Sequence, residues 1–451
     1  MRKIIFLCAL ASVSYYLNAQ KPSNIFTTTL QNGLQVTVVE DHSVPLATVE
    51  ITTKNGSYTE PPEYNGLSHL YEHMFFKANK DYPSQEAFMA RVKDLGIEFN
   101  GTTSEERVNY FFTLPKTNLD SGLLFMNSAI RYPLFLQDEI KRENVVVDGE
   151  FQRNESNPFF ALYDSINHEM WGDLYSRKNV IGDHHIINTA TPEKMMTIKN
   201  KYYWPNNSML IVSGDVNHDY VFKKVKEIYD SWKSSDFDPF KKWPIPEFKP
   251  LTSDKYFVVK SPNAQVPMIM VEWFGPDTRN DKKSTYTADV FSYILSQNSS
   301  RWQQNLIDSG YALQVGINYQ TQKYVGPITL QIIPNPSKIA ECVAKVKAEI
   351  AQWDSPDYIT DEQLENAKRG LEIQNLSEQD ITSSYSHTIA FWWCSSDLDY
   401  MYNYISNVKK VTKEDIKNYV DKYILNKHYC AGLLLNSDQA KTIDTNAFWK
   451  S

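Results

Sequence analysis

The stretch Gly66 to Phe76, GLSHLYEHMFF, carries two histidines four residues apart, His69 and His73, with Glu72 just before the second. Residues i and i+4 lie on one face of a helix, so both imidazoles can reach one cation. Neutral imidazole suits zinc, and a catalytic zinc takes three protein ligands and keeps one position open for water. Glu72 stands three residues after His69, close enough to act on such a water as a general base. The plainer alternative is an amphipathic helix that happens to carry two imidazoles. A third ligand separates the two readings.

That ligand has to come from another element. Helical patterning over residues 138–154 offers Glu143 and Glu150 in ENVVVDGEF, seven apart and therefore on one side of the helix after two turns. One of them can bind the metal while the other orients a histidine through its second ring nitrogen, support that metal-bound imidazoles usually need. The intervening Val145, Val146 and Val147 are expected to anchor this helix in the core. Two glutamates at this spacing are otherwise common on solvated helix faces, so the weight of the pair comes from the histidine helix upstream.

The elements that must hold these residues are legible in outline. Asn32-Gly33 marks a turn before a strand in which Leu34, Val36 and Val38 alternate with polar residues, and a second strand follows at PLATVEITT. Helices are expected over 67–76, 84–95, 119–129 and 138–154, with Gly96 ending the second, and EFNGTTSEERVNYFFTL has strand character at both ends. One internal similarity stands out. TPEKMMTIKNKYYWPNNSMLIVSGDV from Thr191 matches TKEDIKNYVDKYILNKHYCAGLLLNS from Thr412, aligning Lys201 with Lys422 and Tyr202 with Tyr423. Each copy reads as helix, polar connection and apolar strand, which suggests two related halves that mix helices with a sheet. The Pro- and Lys-rich stretch 238–254 is the expected linker between a zinc-binding unit, 24–237, and a related unit without zinc, 255–451.

Composition narrows the function further. At 451 residues the chain is longer than one core usually organises, and a net charge of −8 argues against nucleic acid as the partner. Arg2 and Lys3 precede an apolar run, Ile4 to Val13, and then the polar YYLNAQ with cleavage expected after Ala19, the layout of a secretory signal peptide over residues 1–19. The run is too short for a membrane anchor, so the mature protein is expected to be exported to the periplasm or beyond. It would keep Cys342, Cys394 and Cys430, an odd number whose disulfide state stays open, with buried thiols as the simplest expectation.

With these residues in view, the chain resembles the inverzincin peptidases of the pitrilysin, insulysin and mitochondrial-processing-peptidase group. HxxEH is followed by the glutamate pair, with Glu150 lying 77 positions after His73. LQNGLQVTVVED, NGLSHLYEHMFFK, EFNGTTSEERVNYFFTL, KRENVVVDGEF and YYWPNNSMLIVSGDV fall in the family's order. The resemblance implies an α+β fold of two homologous α/β domains, each a mostly antiparallel sheet packed with helices. It implies one Zn2+ per chain held by His69, His73 and Glu150, with Glu72 as the base and Glu143 supporting a histidine. It also implies that Asn100, Gly101 and Thr102 form an edge strand that binds extended peptides, Gly101 standing where relatives usually carry Ala.

The second half departs from the pattern. Active relatives usually carry an Arg and, seven residues later, a Tyr that hold the substrate and the developing oxyanion. Here Tyr311 fits the Tyr, but Gln304 occupies the Arg position and Arg301 comes three residues early. The resemblance therefore points to a zinc endopeptidase acting as the catalytic subunit of a heterodimer, its zinc-less relative supplying Arg and Tyr, with a homodimer as the alternative. From a different class, the rival is a non-catalytic scaffold or chaperone-like subunit with a vestigial site.

Overall fold

The computed structural model describes residues 22–378, 382–443 and 448–449, so the proposed signal peptide lies outside the described residues. Two sheets organise the chain. The first has six strands, β1 (Ile25–Thr29), β2 (Gln35–Glu40), β3 (Leu46–Thr53), β4 (Glu98–Thr103), β5 (Val108–Pro115) and β6 (Ser208–Gly214), in the order β1-β2-β6-β3-β5-β4. The second contains β7 (Lys255–Lys260), β8 (Met268–Phe274), β9 (Ala312–Tyr319), β10 (Pro327–Pro334) and β11 (Cys430–Leu435), in the order β7-β11-β8-β10-β9. Apart from β1, the two orders are the same. Each sheet has one parallel pair, β2 with β6 and β7 with β11, and is otherwise antiparallel.

The internal repeat runs through this topology. Thr191 and Thr412 each cap the N-terminus of a helix, Pro192–Tyr202 and Lys413–Tyr423, that leads into the central strands β6 and β11. Both strands are buried along their whole length, so the period of two separates two apolar faces instead of an apolar and a polar one. In β6, Leu210 and Val212 join the core beneath the helices of the first half, while Met209 and Ile211 face the other way.

What covers those second faces is an exchange between halves. The helix Thr382–Ser395, from the second half, lays Ile389, Ala390, Trp393 and Cys394 on Met209, Ile211 and Val39 of the first sheet. In return, Pro158–Trp171 from the first half packs Leu162, Ile166 and Met170 against Met268, Met270, Cys430 and Leu434 of the second. Gly432 makes that approach possible, since a Cβ there would fall 2.6 Å from Leu162 Cδ1. The hairpin tips between β4 and β5 and between β9 and β10 also meet: the buried Glu106 carboxylate accepts Lys323 N and Tyr324 N, both at 2.8 Å. The segment 238–254 contributes one short helix, Pro239–Lys242, and no strand.

Cys342, Cys394 and Cys430 are free and buried, as small apolar side chains would be. The valine run is a correction. Of Val145, Val146 and Val147 only Val147 is buried, with Val145 71% and Val146 50% exposed. Successive helix residues are turned by about 100°, so three in a row cannot all face one core.

Candidate metal centre

The helix α1 (Leu67–Phe75) divides its residues cleanly. Leu67, Leu70, Tyr71, Met74 and Phe75 form the buried stripe. His69, Glu72 and His73 occupy the opposite side. Beneath the helix, Tyr71 stacks on Tyr203 at 4.1 Å and Phe75 on Tyr110 at 3.8 Å, which fixes its rotation about its axis. Its start is fixed by Gly66, at φ +89°, whose missing Cβ would fall 2.4 Å from the Cα of Gly182. Glu60 closes that end. Its carboxylate accepts Gly66 N at 2.7 Å and Ser68 N at 2.5 Å, taking two of the donors that a helix leaves unpaired.

The second component is α2 (Gln137–Glu155), which crosses α1 and presents a row of carboxylates. Glu139 accepts Ala78 N at 3.1 Å and Gln85 N at 2.9 Å, pinning the chain just after α1. One turn on, Glu143 takes His73 Nδ1 at 2.8 Å on one oxygen and Lys77 Nζ at 2.6 Å on the other. Glu150, two turns further, reaches the outer nitrogens of the histidines.

The three donor atoms form a near-equilateral triangle. His69 Nε2 and His73 Nε2 are 3.2 Å apart, and Glu150 Oε2 lies 3.6 Å from the first and 3.7 Å from the second. Donors about 2.0–2.1 Å from a tetrahedral zinc lie about 3.3–3.4 Å from one another, so the donor set fits that ion in kind and in spacing. Among the described residues this is the one group of its type. Burial, and then the neighbouring His73, hold the His69 imidazole down at about 3, so it is neutral and its lone pair is free. Burial also disfavours charge on His73, but the bond to Glu143 and the nearby carboxylates outweigh it and raise its pKa. Glu143 itself is lowered: burial would raise it, and His73 and Lys77 more than compensate. His69 Nδ1, by contrast, is buried without a partner.

Glu72 stays outside the triangle. Its side chain lies against β4, where Thr103 Oγ1 donates to Glu72 Oε2 at 3.0 Å, and its carboxyl is raised chiefly by burial. The strand β4 ends the first sheet and pairs only with β5 among the described strands. Of the residues expected to bind peptide there, Gly101 lies against Glu72, Thr102 donates its hydroxyl to Asn109, and Asn100 Oδ1 accepts Gly101 N at 2.9 Å. In the second half, Tyr311 sits just before β9 with the ammonium of Lys338 5.3 Å from its ring, while Arg301 lies over Tyr358 instead.

The repeat extends through the centre and erases it. An offset of 221 carries His69, His73, Glu143 and Glu150 onto Val290, Ile294, Leu364 and Leu371, all buried in the second core. The same offset carries Gly149 onto Gly370, where a Cβ would collide with Tyr293, the counterpart of Glu72. The sequence reading missed Glu60, Lys77 and Thr103, which act through contacts that no local spacing encodes.

Comparison with known proteins follows the same division. Residues 35–183 match the family described as insulinase (peptidase family M16), and residues 189–371 match the peptidase M16 inactive domain. A zinc protease of Helicobacter pylori, PqqE, is 25% identical over 401 residues, covering 88% of this chain and 89% of that protein. An Arabidopsis thaliana protein named probable mitochondrial-processing peptidase subunit beta is 26% identical over 50% of this chain and 42% of its own length. Among solved structures, a protease from Helicobacter pylori superposes with a TM-score of 0.80 at 24% identity, over 91% of this chain and 99% of that one. The periplasmic protease PqqL of Escherichia coli gives 0.76 at 16% identity, with 96% of this chain matching 50% of that one. A candidate metal-ligand set in one half and its apolar counterpart in the other thus coincide with matches to the insulinase domain and to the inactive domain, and the chain belongs to the peptidase M16 family.

Proposed function

We propose that the chain is a zinc-dependent endopeptidase that hydrolyses peptides or unfolded segments bound as an extended strand. The observation that carries this reading is the donor triangle of His69, His73 and Glu150, with Glu72 beside it and held by the edge strand β4. A zinc ion bound there would polarise the scissile carbonyl and lower the pKa of a water towards about 7.

The remaining work falls to the chain's own groups. Glu143 fixes the orientation of His73 through Nδ1, which keeps Nε2 turned towards His69 and Glu150. Glu72 takes the proton of the attacking water and passes it to the leaving amine; a carboxyl raised by burial is better matched to both transfers than an exposed one. The free edge of β4 pairs with the substrate backbone, and Asn100 leaves Gly101 N as the peptide arrives.

The position of Tyr311 supports a two-chain enzyme. Its neighbour is Lys338, with Gln304 seven residues upstream and Arg301 turned to Tyr358, so this half lacks a paired Arg and Tyr of its own. A related zinc-less chain would supply them. Export fits the N-terminal charge and apolar run, and the likeness to a periplasmic protease. No helix of the described residues is long and apolar enough to cross a membrane. The test is zinc content together with hydrolysis of a fluorogenic peptide, with and without a related second chain. Hydrolysis that appears or rises sharply on adding that chain supports the heterodimer, and strong activity from a stable homodimer opposes it. Zinc bound without hydrolysis under either condition would favour the scaffold.

A further inference from the structure

Where the repeat loses the metal ligands it keeps a cleft. The offset of 221 carries Ser68 onto Asp289 and Glu72 onto Tyr293, four residues apart and so on one face of the helix Lys282–Ser296. Both line a cavity of about 500 Å3, together with Leu371, the counterpart of Glu150. That size is ordinary for a small-molecule site, about 300–1,000 Å3. Tyr319 from β9, Phe391 and Trp392 from the helix Thr382–Ser395, and Tyr404 from the helix Leu398–Val408 complete the wall. The lining thus holds five aromatic rings and one carboxylate, and among the described residues no lysine, arginine or histidine.

Asp289 has a hydroxyl beside it and no cation. Tyr404 donates to Asp289 Oδ2 at 2.8 Å, and no basic side chain among the described residues pairs with this carboxylate. A carboxylate drawn away from water is costly without a counter-charge, and here the surrounding protein lifts its pKa to about 7. The rings are braced in advance. Trp392 stacks on Tyr400 at 4.7 Å, and Tyr400 stacks on Tyr286 at 4.5 Å. Ring faces held this way attract an ammonium or guanidinium group through their negative π-clouds, most strongly where water is scarce. We propose that this cavity binds a small organic cation, an ammonium or guanidinium group, between its aromatic rings with Asp289 as the counter-charge. The site would use binding chemistry alone and owes nothing to the metal centre of the first half.

The experiment is titration calorimetry of the zinc-loaded protein at pH 8, with choline, with butylguanidine and with the neutral alcohol in which carbon replaces the nitrogen of choline. Expected is one site per chain that takes at least one of the two cations about tenfold or more tighter than the neutral alcohol. Asp289→Asn should abolish that preference, and Trp392→Leu should weaken the cation about tenfold. Equal affinity for choline and its neutral counterpart, with butylguanidine no tighter, would overturn the proposal without any variant. So would the absence of saturable cation binding, or a preference that survives in an Asp289→Asn protein of unchanged thermal stability. A capped peptide carrying one arginine and no free amine, offered to Glu72→Gln protein, separates the sources of the cation. Binding tighter than butylguanidine, and lost in Asp289→Asn, assigns the site to a polypeptide side chain; binding no tighter assigns it to a free amine.

Discussion

His73 Nδ1 lies 2.8 Å from Glu143 Oε1, and the other oxygen of the same carboxylate holds Lys77 Nζ at 2.6 Å. This makes His73 the anchored imidazole of the pair, since His69 Nδ1 has no such partner. Glu143→Ala should therefore weaken zinc binding about 10–100-fold without removing a ligand, read by competition against a chelator. An unchanged affinity would mean that the packing of α1 alone orients His73.

Glu60 should matter to stability more than its place in a proline-rich loop suggests. Glu60→Ala leaves Gly66 N and Ser68 N buried without an acceptor at the start of α1. Burial raises the Glu60 carboxyl to about 8, so the expected loss, about 2–4 kcal/mol in chemical denaturation, comes from two buried donors left without an acceptor. A loss below about 0.5 kcal/mol would show that water replaces the carboxylate there.

A pH dependence should come from Glu272, buried in β8 and far along the chain from the metal ligands. Burial pushes its carboxyl up to about 7, opposed by Thr329 and Lys178. The folded pKa lies above the unfolded value of about 4.3, so the folded state holds the extra proton and its stability falls as pH rises from about 4.3 to about 7. Glu272→Gln removes that slope. The variant should gain about 2–3 kcal/mol relative to wild type between pH 5 and pH 8, measured by denaturation at the two values. A constant difference would place the folded pKa near its ordinary range.

Metal stoichiometry should be one zinc per chain. The second half repeats the helices but has Val290, Ile294 and Leu371 where the proposed ligands stand in the first. Native mass spectrometry should show one zinc in wild type and none in His73→Ala. A second tightly held zinc would require ligands outside the set described.

How much of this was legible depended on whether the information is local. His69 and His73 could be read because one turn of helix carries both, and Glu143 and Glu150 because two turns carry both. The Thr191 and Thr412 copies foretold two related sheets, because caps, helix and central strand recur together. Thr103 could not be read as holding Glu72, since 31 residues separate them and only the packing of α1 on β4 joins them. The helices Pro158–Trp171 and Thr382–Ser395 are apolar enough to be buried, but nothing in their own residues says that each covers the other half's sheet. Val145 and Val146 misled because hydrophobicity was counted without regard to helical phase.

The central claim is that Glu72 is the proton-transferring base beside a zinc held by His69, His73 and Glu150. The most direct test is the rate of peptide hydrolysis by zinc-loaded Glu72→Gln against wild type, each assayed with its second chain if one is needed. The account predicts full zinc occupancy with turnover reduced by about 100-fold or more. Hydrolysis at the wild-type rate by the Gln variant would contradict it.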